Sequence, residues 1–486
     1  MDLLSFIGIL VGLGLLIWLS FRGWSILLLA PGAALIAAAF SREPLLAHWT
    51  QTFMGGVAGF LAQFFPLFLL GALFGKLMED SGSLLATATF MTRYLGKRYA
   101  ILAVVLAGAI VTYGGVSLFV AFFVLAPLAY NLFRSADIPQ RFMPAAILLG
   151  TSTFTMSAIP GTPSIQNAIP MPFFGTSLFA APGLGLIASF IMVGFGMWWL
   201  SRQAARSRRR GEKFAGGRDP PSQQIAVDEK VRERAATARE FDPAEIVHGR
   251  VTETPPPIIW AALPLVVVVA VNTAMSLVIL PRLNTEFLAD PRWGVSLSSV
   301  AGLWAVVTAL TCAIATVVAV NYRRIPDLRM TMDAGVNASV LPAISVASLV
   351  GFGVVVAAMP GFAMVRDAVL GISGGPLVSL AVAVNALSAL TGSASGGLTI
   401  ALDALADTYL ARATEVGLSP ALLHRVAVMA AGTLDTLPHN GAVVTLLAVC
   451  GSTHRESYLD IFVVSIVGAL LALFAVIVLA SVFGAF

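Results

Sequence analysis

Charge is what this sequence has least of. Only 11% of its 486 residues are Asp, Glu, Lys or Arg, against about a quarter in soluble proteins. Even these are unevenly placed, because residues 201–255 hold 12 of the 29 cations and 9 of the 25 anions. The remainder is too sparse to solvate a globular surface, which excludes a water-soluble enzyme. Cysteine is nearly absent: Cys312 and Cys450 both lie in apolar runs, so no disulfide framework, CxxC or zinc spacing exists. A phosphate loop (GxxxxGK[ST]) and an HExxH pair are missing too, which argues against an ATP-driven pump and a zinc hydrolase. No cofactor or metal is expected, and the chain is read as not an enzyme. The net charge of +4 is loop charge of the kind that orients membrane proteins, so nucleic acid is not an expected partner. No basic segment precedes the first apolar run, which is therefore expected to remain as a membrane helix.

What the chain has in abundance is apolar length: 58% hydrophobic residues and a mean hydropathy of +0.89. Lipid must be the solvent for most of it. Runs long enough to cross a bilayer fall at roughly 3–20, 23–40, 54–78, 143–172, 176–200, 257–281, 294–321, 334–359, 422–450 and 457–485. Two more, 99–133 and 377–402, are broken centrally by polar and glycine clusters and are expected to be re-entrant hairpins. Before each hairpin an amphipathic stretch (81–100 and 360–375) is expected to lie along the interface as an arm helix.

The halves match at an offset of about 278 residues, with Thr155–Thr162 over Thr433–Asn440 and Pro160 over Pro438. Five crossings per half invert the second copy relative to the first. The expected fold is an all-α polytopic membrane protein of two inverted repeats, each of about five transmembrane helices with a re-entrant helical hairpin and an interfacial arm helix. The first repeat covers 1–200, a charged cytoplasmic linker 201–255, and the second repeat 256–486. With both termini periplasmic in a bacterial inner membrane, 23 of the 29 cations are cytoplasmic and 6, Arg425 among them, are outside, as the positive-inside rule asks.

Irregular backbone inside a bilayer is tolerated only where protein or a water-filled cavity satisfies it. Four such interruptions occur: the hairpin tips 112–117 and 391–399, and the proline-containing breaks 151–170 and 432–445. They point to a substrate cavity in which half-helix N-termini seat an anion. The expected contacts are Thr112, Gly114, Gly115, Ser117, Thr155, Ser157, Thr162, Asn167, Ser395, Gly396, Gly397, Thr399 and Asn440. An ionisable group within a span is a functional candidate by default, which marks Asp435 and His439 for proton coupling; the alternative is that Asp435 caps the following half-helix and His439 serves a backbone carbonyl. Glu79 and Asp80 read as a solvated helix end, with proton release to the cytoplasm as the alternative. Asp403 and Asp407 are expected to face water on the outer side.

The segments FLLGALFGKLMEDSGS (68–83), TYGGVSLFVAFFVLAPLA (112–129), residues 135–170, ASGGLTIALDAL (394–405) and LDTLPHNGAVVTLL (434–447) resemble the gluconate permease (GntP) family of the ion transporter superfamily. His439 and Asn440 match the HNDxGFW pattern of gluconate-type members and the residues after them do not. The LPHNG form at Leu437–Gly441 is similar to 3-hydroxybutyrate-type members. The resemblance implies proton-coupled symport of a small organic anion, gluconate or a short hydroxy-monocarboxylate such as 3-hydroxybutyrate. The alternatives are a sodium-coupled di- or tricarboxylate carrier of the same superfamily and an anion channel. The bilayer and the anion are the expected partners, and a second copy of the chain, as a homodimer, is a candidate.

Overall fold

A computed structural model of the chain describes residues 2–214 and 251–486 apart from positions 23, 117, 253, 392 and 439. Every regular element among the described residues is helical, the form in which an apolar segment bonds its own backbone without water. The first half contains α1 (Asp2–Phe21), α2 (Ile26–Phe40), α3 (Leu45–Asp80), α4 (Ser83–Leu95), α5 (Ala100–Tyr113), α6 (Leu118–Ser135) and α7 (Met143–Thr151). Three short pieces follow, α8 (Phe154–Ser157), α9 (Ile165–Ala168) and α10 (Pro170–Phe174), and then α11 (Pro182–Arg209). The second half contains α12 (Ile258–Arg282), α13 (Leu297–Asn321), α14 (Leu328–Ala358), α15 (Phe362–Leu370), α16 (Gly375–Thr391), α17 (Ala394–Glu415), α18 (Pro420–Thr433), α19 (Gly441–Val449) and α20 (His454–Phe483).

Six of these, α3, α11, α12, α13, α14 and α20, are long and apolar enough to cross a membrane, and α4 with Lys97–Tyr113 adds a seventh if that pair, bent by 103°, is one span. Of the ten runs read from hydropathy, these are the ones that form single long helices among the described residues. Residues 143–172 and 422–450 are each divided, because Pro160, Pro163 and Pro438 lack the N–H that would continue the helix. The Phe190 and Phe474 side chains of α11 and α20 are exposed, as a lipid-facing surface requires. By contrast, 72% of the apolar window of α14 is buried, against 28% for α12. α14 packs along α3 in the most extensive helix pair of the fold, and both carry an internal proline, Pro342 and Pro66.

α11 extends to Arg209, and its end is held to the α6–α7 turn by Arg141, whose Nη2 donates to Ser207 Oγ and Glu212 Oε2, both at 3.0 Å. Two expectations are corrected here. Arg425, counted among the outside cations, and Lys76, beside Glu79 at a span end, are both buried. Glu79 and Asp80 are not a solvated end: Lys76 Nζ donates to Glu79 Oε2 at 3.0 Å and lies 3.1 Å from Asp80 Oδ1. Asp80 also accepts the Thr331 hydroxyl of α14 at 2.7 Å, and its carbonyl accepts the Thr252 N–H at 2.9 Å. Asp403 is partly buried and Asp407 is exposed.

Candidate functional site

Breaking a helix at residues 152–164 releases backbone carbonyls that must find donors. They find them in side chains from both halves. Ser164 Oγ donates to the Met156 carbonyl (2.7 Å), Tyr113 Oη to Pro160 (3.0 Å) and Asn272 Nδ2 to Gly161 (3.2 Å). Asn167 Nδ2 donates to Thr162 (3.0 Å) and Leu178 (3.1 Å). From α18, the Arg425 guanidinium reaches the carbonyls of Ser157, Ala158, Leu178 and Ala180. Its neighbour His424 lies between the Thr176 hydroxyl (2.6 Å at Nδ1) and Asn167 Oδ1 (3.1 Å at Nε2). The Asn167 amide nitrogen is already donating, so its oxygen accepts, which assigns the His424 proton to Nε2.

A cavity of about 140 Å³ opens beside this break. Its lining includes Thr112, Gly115, Val116 and Leu118 around the first hairpin tip; Thr151, Thr155, Met156, Pro163, Ser164, Ile165 and Gln166 from the broken helix; and Ser395 from the second tip. Leu67, Phe68, Gly71 and Ala72 of α3, Leu310 of α13, and Ala338, Ser339, Pro342 and Val346 of α14 complete it. Leu118 begins α6 and Ser395 lies in the first turn of α17, whose Ser393 hydroxyl accepts from Gly396 N at 3.2 Å. Two long helices, one from each hairpin, therefore direct the positive ends of their dipoles toward one space. The surrounding hydroxyl groups donate to backbone: Thr112 Oγ1 to Gly108, Thr151 Oγ1 to Ile147, Thr155 Oγ1 to Gly150 and Ser339 Oγ to Val336. Thr151 Oγ1 already accepts from Ser152 Oγ at 3.1 Å, and the remaining lone pairs are left to accept. Gly115 takes φ +93° at the tip, and a Cβ there would stand 3.3 Å from Pro163 Cγ.

Of the contacts expected from the sequence, Thr112, Gly115, Thr155 and Ser395 meet at this cavity. The other described ones are elsewhere. Ser157 donates to the Thr153 carbonyl; Asn167 is spent on the break; the Thr162 hydroxyl is buried without a hydrogen-bond partner among the described residues; and Thr399 donates to the Ser395 carbonyl. Gly114 faces Leu265 of α12, Gly396 faces Leu349 of α14, and Gly397 lies against the backbone of Ser388, where a Cβ would collide. Ser117 and His439 lie outside the described residues.

The second break forms a separate cluster. Asn440, not Asp435, caps the next half-helix: its Oδ1 accepts from Ala442 N (2.7 Å) and Val443 N (3.3 Å), while its Nδ2 donates to Asp435 Oδ1 at 3.0 Å. His454 Nε2 donates to the Pro438 carbonyl and Tyr458 Oη to that of Thr436, so α20 supplies the donors here. Gln166, Ser164, Thr151 and Ser339 were missed at the cavity, as were His424 and Arg425 behind it. The last two carried a usable signal, since a His-Arg dipeptide inside the apolar run PALLHRVAVMAAGT is as costly in a bilayer as Asp435.

Comparison with known proteins places this arrangement. The model of the GntP family permease matches residues 3–213. An uncharacterized transporter of Bacillus subtilis, YxjC, is 40% identical over 484 residues, 98% of each chain. The high-affinity gluconate transporter of Escherichia coli is 30% identical over 176 residues, 35% of this chain and 38% of its own. Among solved structures, the YdaH transporter of Alcanivorax borkumensis aligns with a TM-score of 0.55 at 18% identity, over 90% of this chain and 88% of that one. MtrF of Neisseria gonorrhoeae aligns with a TM-score of 0.55 at 13% identity, over 91% and 86%. At those identities the structural likeness concerns the fold, whereas near-complete coverage at 40% identity concerns the family. The chain belongs to the GntP family of permeases, multi-pass membrane transporters rather than enzymes.

Proposed function

We propose that this permease takes up a small organic anion, gluconate or a short hydroxy-monocarboxylate such as 3-hydroxybutyrate, together with one or more protons, by alternating access through the cavity beside the first break. The observation that carries the reading is the meeting of the α6 and α17 N-termini at one cavity, Leu118 and Ser395 both lining it. Backbone N–H groups at such ends favour a carboxylate. The Thr112, Thr151 and Thr155 oxygens, whose protons go to backbone, suit a ligand that donates hydrogen bonds, as a hydroxy acid does and a simple alkanoate does not. The kinship with a gluconate transporter supports the same substrate class.

Coupling follows from electrostatics. Importing one negative charge against a negative-inside potential costs about 2.3 kcal/mol per 100 mV, and one proton cancels it. Asp435 with His439 is the proposed proton carrier, Asp435 being buried beside Asn440. The alternating geometry rests on two inverted repeats. The order of elements in each half, two helices, a long helix, a short helix, a helical pair, a broken helix and a final long helix, supports that reading, as does the 103° bend between α4 and the helix that follows it. The protein is expected in the bacterial cell membrane with both termini outside and residues 201–255 in the cytoplasm. Proteoliposomes test the whole reading with gluconate, 3-hydroxybutyrate, lactate, glycerate and citrate. Saturable uptake driven by an inward proton gradient, with counterflow, is expected. Accumulation driven only by a sodium gradient, or non-saturable flux, would refute it.

A further inference from the structure

Arg425 is completely buried, and no side-chain carboxylate lies within 4.0 Å of it among the described residues. Its partners are carbonyl groups on the two lips of the first break. Nη1 reaches Ser157 (3.4 Å) and Ala158 (3.2 Å) where α8 ends. Nε and Nη2 reach Ala180 (3.0 and 2.7 Å), and Nη2 also reaches Leu178 (3.4 Å), in the turn before α11. The lips are separated by some twenty residues of chain, and that chain contains Pro163, Ser164 and Gln166 of the cavity wall. Gly185 lets α11 approach the first lip, since a Cβ there would stand 2.5 Å from the Ala158 oxygen that Arg425 binds. A guanidinium is suited to this because its five N–H groups diverge in a rigid plane, whereas an ammonium has three donors at one point.

We propose that Arg425 is a positioning residue for the transport site: its planar fork fixes the distance between the two lips of the first break and so the shape of the cavity wall that binds substrate. The broken helix belongs to the first half of the chain and Arg425 to the second, so any rearrangement of α18 against the break changes the wall directly. This rests on the cavity being the transport site, and the test separates the two claims. Arg425→Gln removes both the fork and the charge; Arg425→Lys keeps the charge and loses the fork; Gly185→Ala presses on the same contact from the other side.

The first readout is uptake by the purified full-length protein in proteoliposomes. Both Arg425 variants are expected to raise KM about tenfold or more with Vmax changed far less, Lys giving the smaller rise and Gly185→Ala smaller still. The second needs no transport. Gln166→Cys, in a background with Cys312→Ser and Cys450→Ser, is labelled with a permeant maleimide in membranes, and its rate is expected to change several-fold when Arg425 becomes Lys. A parental KM in folded Arg425 variants, or a parental labelling rate in Arg425→Lys and Gly185→Ala, overturns the inference. If the parent protein carries none of the anions, the transport reading fails by itself, and the labelling rates still decide for or against Arg425.

Discussion

Replacing Lys76 by methionine asks whether the C-terminal end of α3 is a buried ionic knot or a wet helix end. Lys76 is 1% exposed and Asp80 0%, and the single ammonium lies 3.0 Å from one carboxylate and 3.1 Å from another. Methionine keeps the stem and removes the charge, leaving two carboxylates on adjacent residues at the negative end of a helix dipole. Breaking a buried pair in this way costs about 3–5 kcal/mol. At about 2 °C per kcal/mol for a large domain, the apparent Tm in detergent should fall by roughly 6–10 °C. Adding Asp80→Leu removes the more deeply buried carboxylate and should restore most of the loss, since replacing a whole buried pair by apolar side chains is often close to neutral. A Lys76→Met protein melting within about 2 °C of its parent would refute the reasoning, for a loss that small belongs to a solvated pair.

Two glycines that looked alike in the sequence should separate. Gly397→Ala drives a methyl into the Ser388 backbone and should cost about 1–3 kcal/mol in thermal unfolding, whereas Gly115→Ala, at φ +93° beside Pro163, should cost about 1–2 kcal/mol and mainly reduce uptake. Asp435→Asn should abolish proton-driven accumulation in proteoliposomes while substrate exchange persists; unchanged pH-dependent accumulation removes Asp435 from the mechanism. Past the end of α11, the Ser207 hydroxyl first and Arg141 next hold the Glu212 carboxyl below its usual range. The strap from α11 to the α6–α7 turn is therefore present above the ordinary carboxylate range and is lost as pH falls through the lowered value. Protease nicking after Arg209 should rise on acidification in the parent and be high already at neutral pH in Glu212→Gln; equal nicking of both at neutral pH would contradict this.

Much of the architecture was legible in local pattern. The all-helical, membrane-spanning character, the helix breaks after Tyr113 and Thr391 and the division of the helices at Pro160 and Pro438 appear where hydropathy, glycine and proline put them. The same local reading failed where length stood in for burial. It counted Arg425 among the outside cations and set Lys76 at a span end, yet both are buried. Thirteen polar and glycine positions at the breaks were expected at one binding site, and four of them line the cavity. A break creates demand for hydrogen bonds but does not say who meets it: Asn167 serves Thr162, Leu178 and His424, and Asn440 caps its own helix.

The scarcity of charge, by itself, determined that this chain lives in lipid, that its elements are helices, and that its interruptions need partners. Those conclusions follow from composition and from the backbone's fixed need for hydrogen bonds, both properties of the chain read residue by residue. Tertiary structure alone decided which partners those are. Arg425 meets carbonyls some 245 to 268 residues away, and Ser395 joins Thr112 and Thr155 around one cavity while Asp435 and Asn440 form another cluster. A hydrogen bond or a cavity wall depends on separation in space, and no spacing along the chain encodes it.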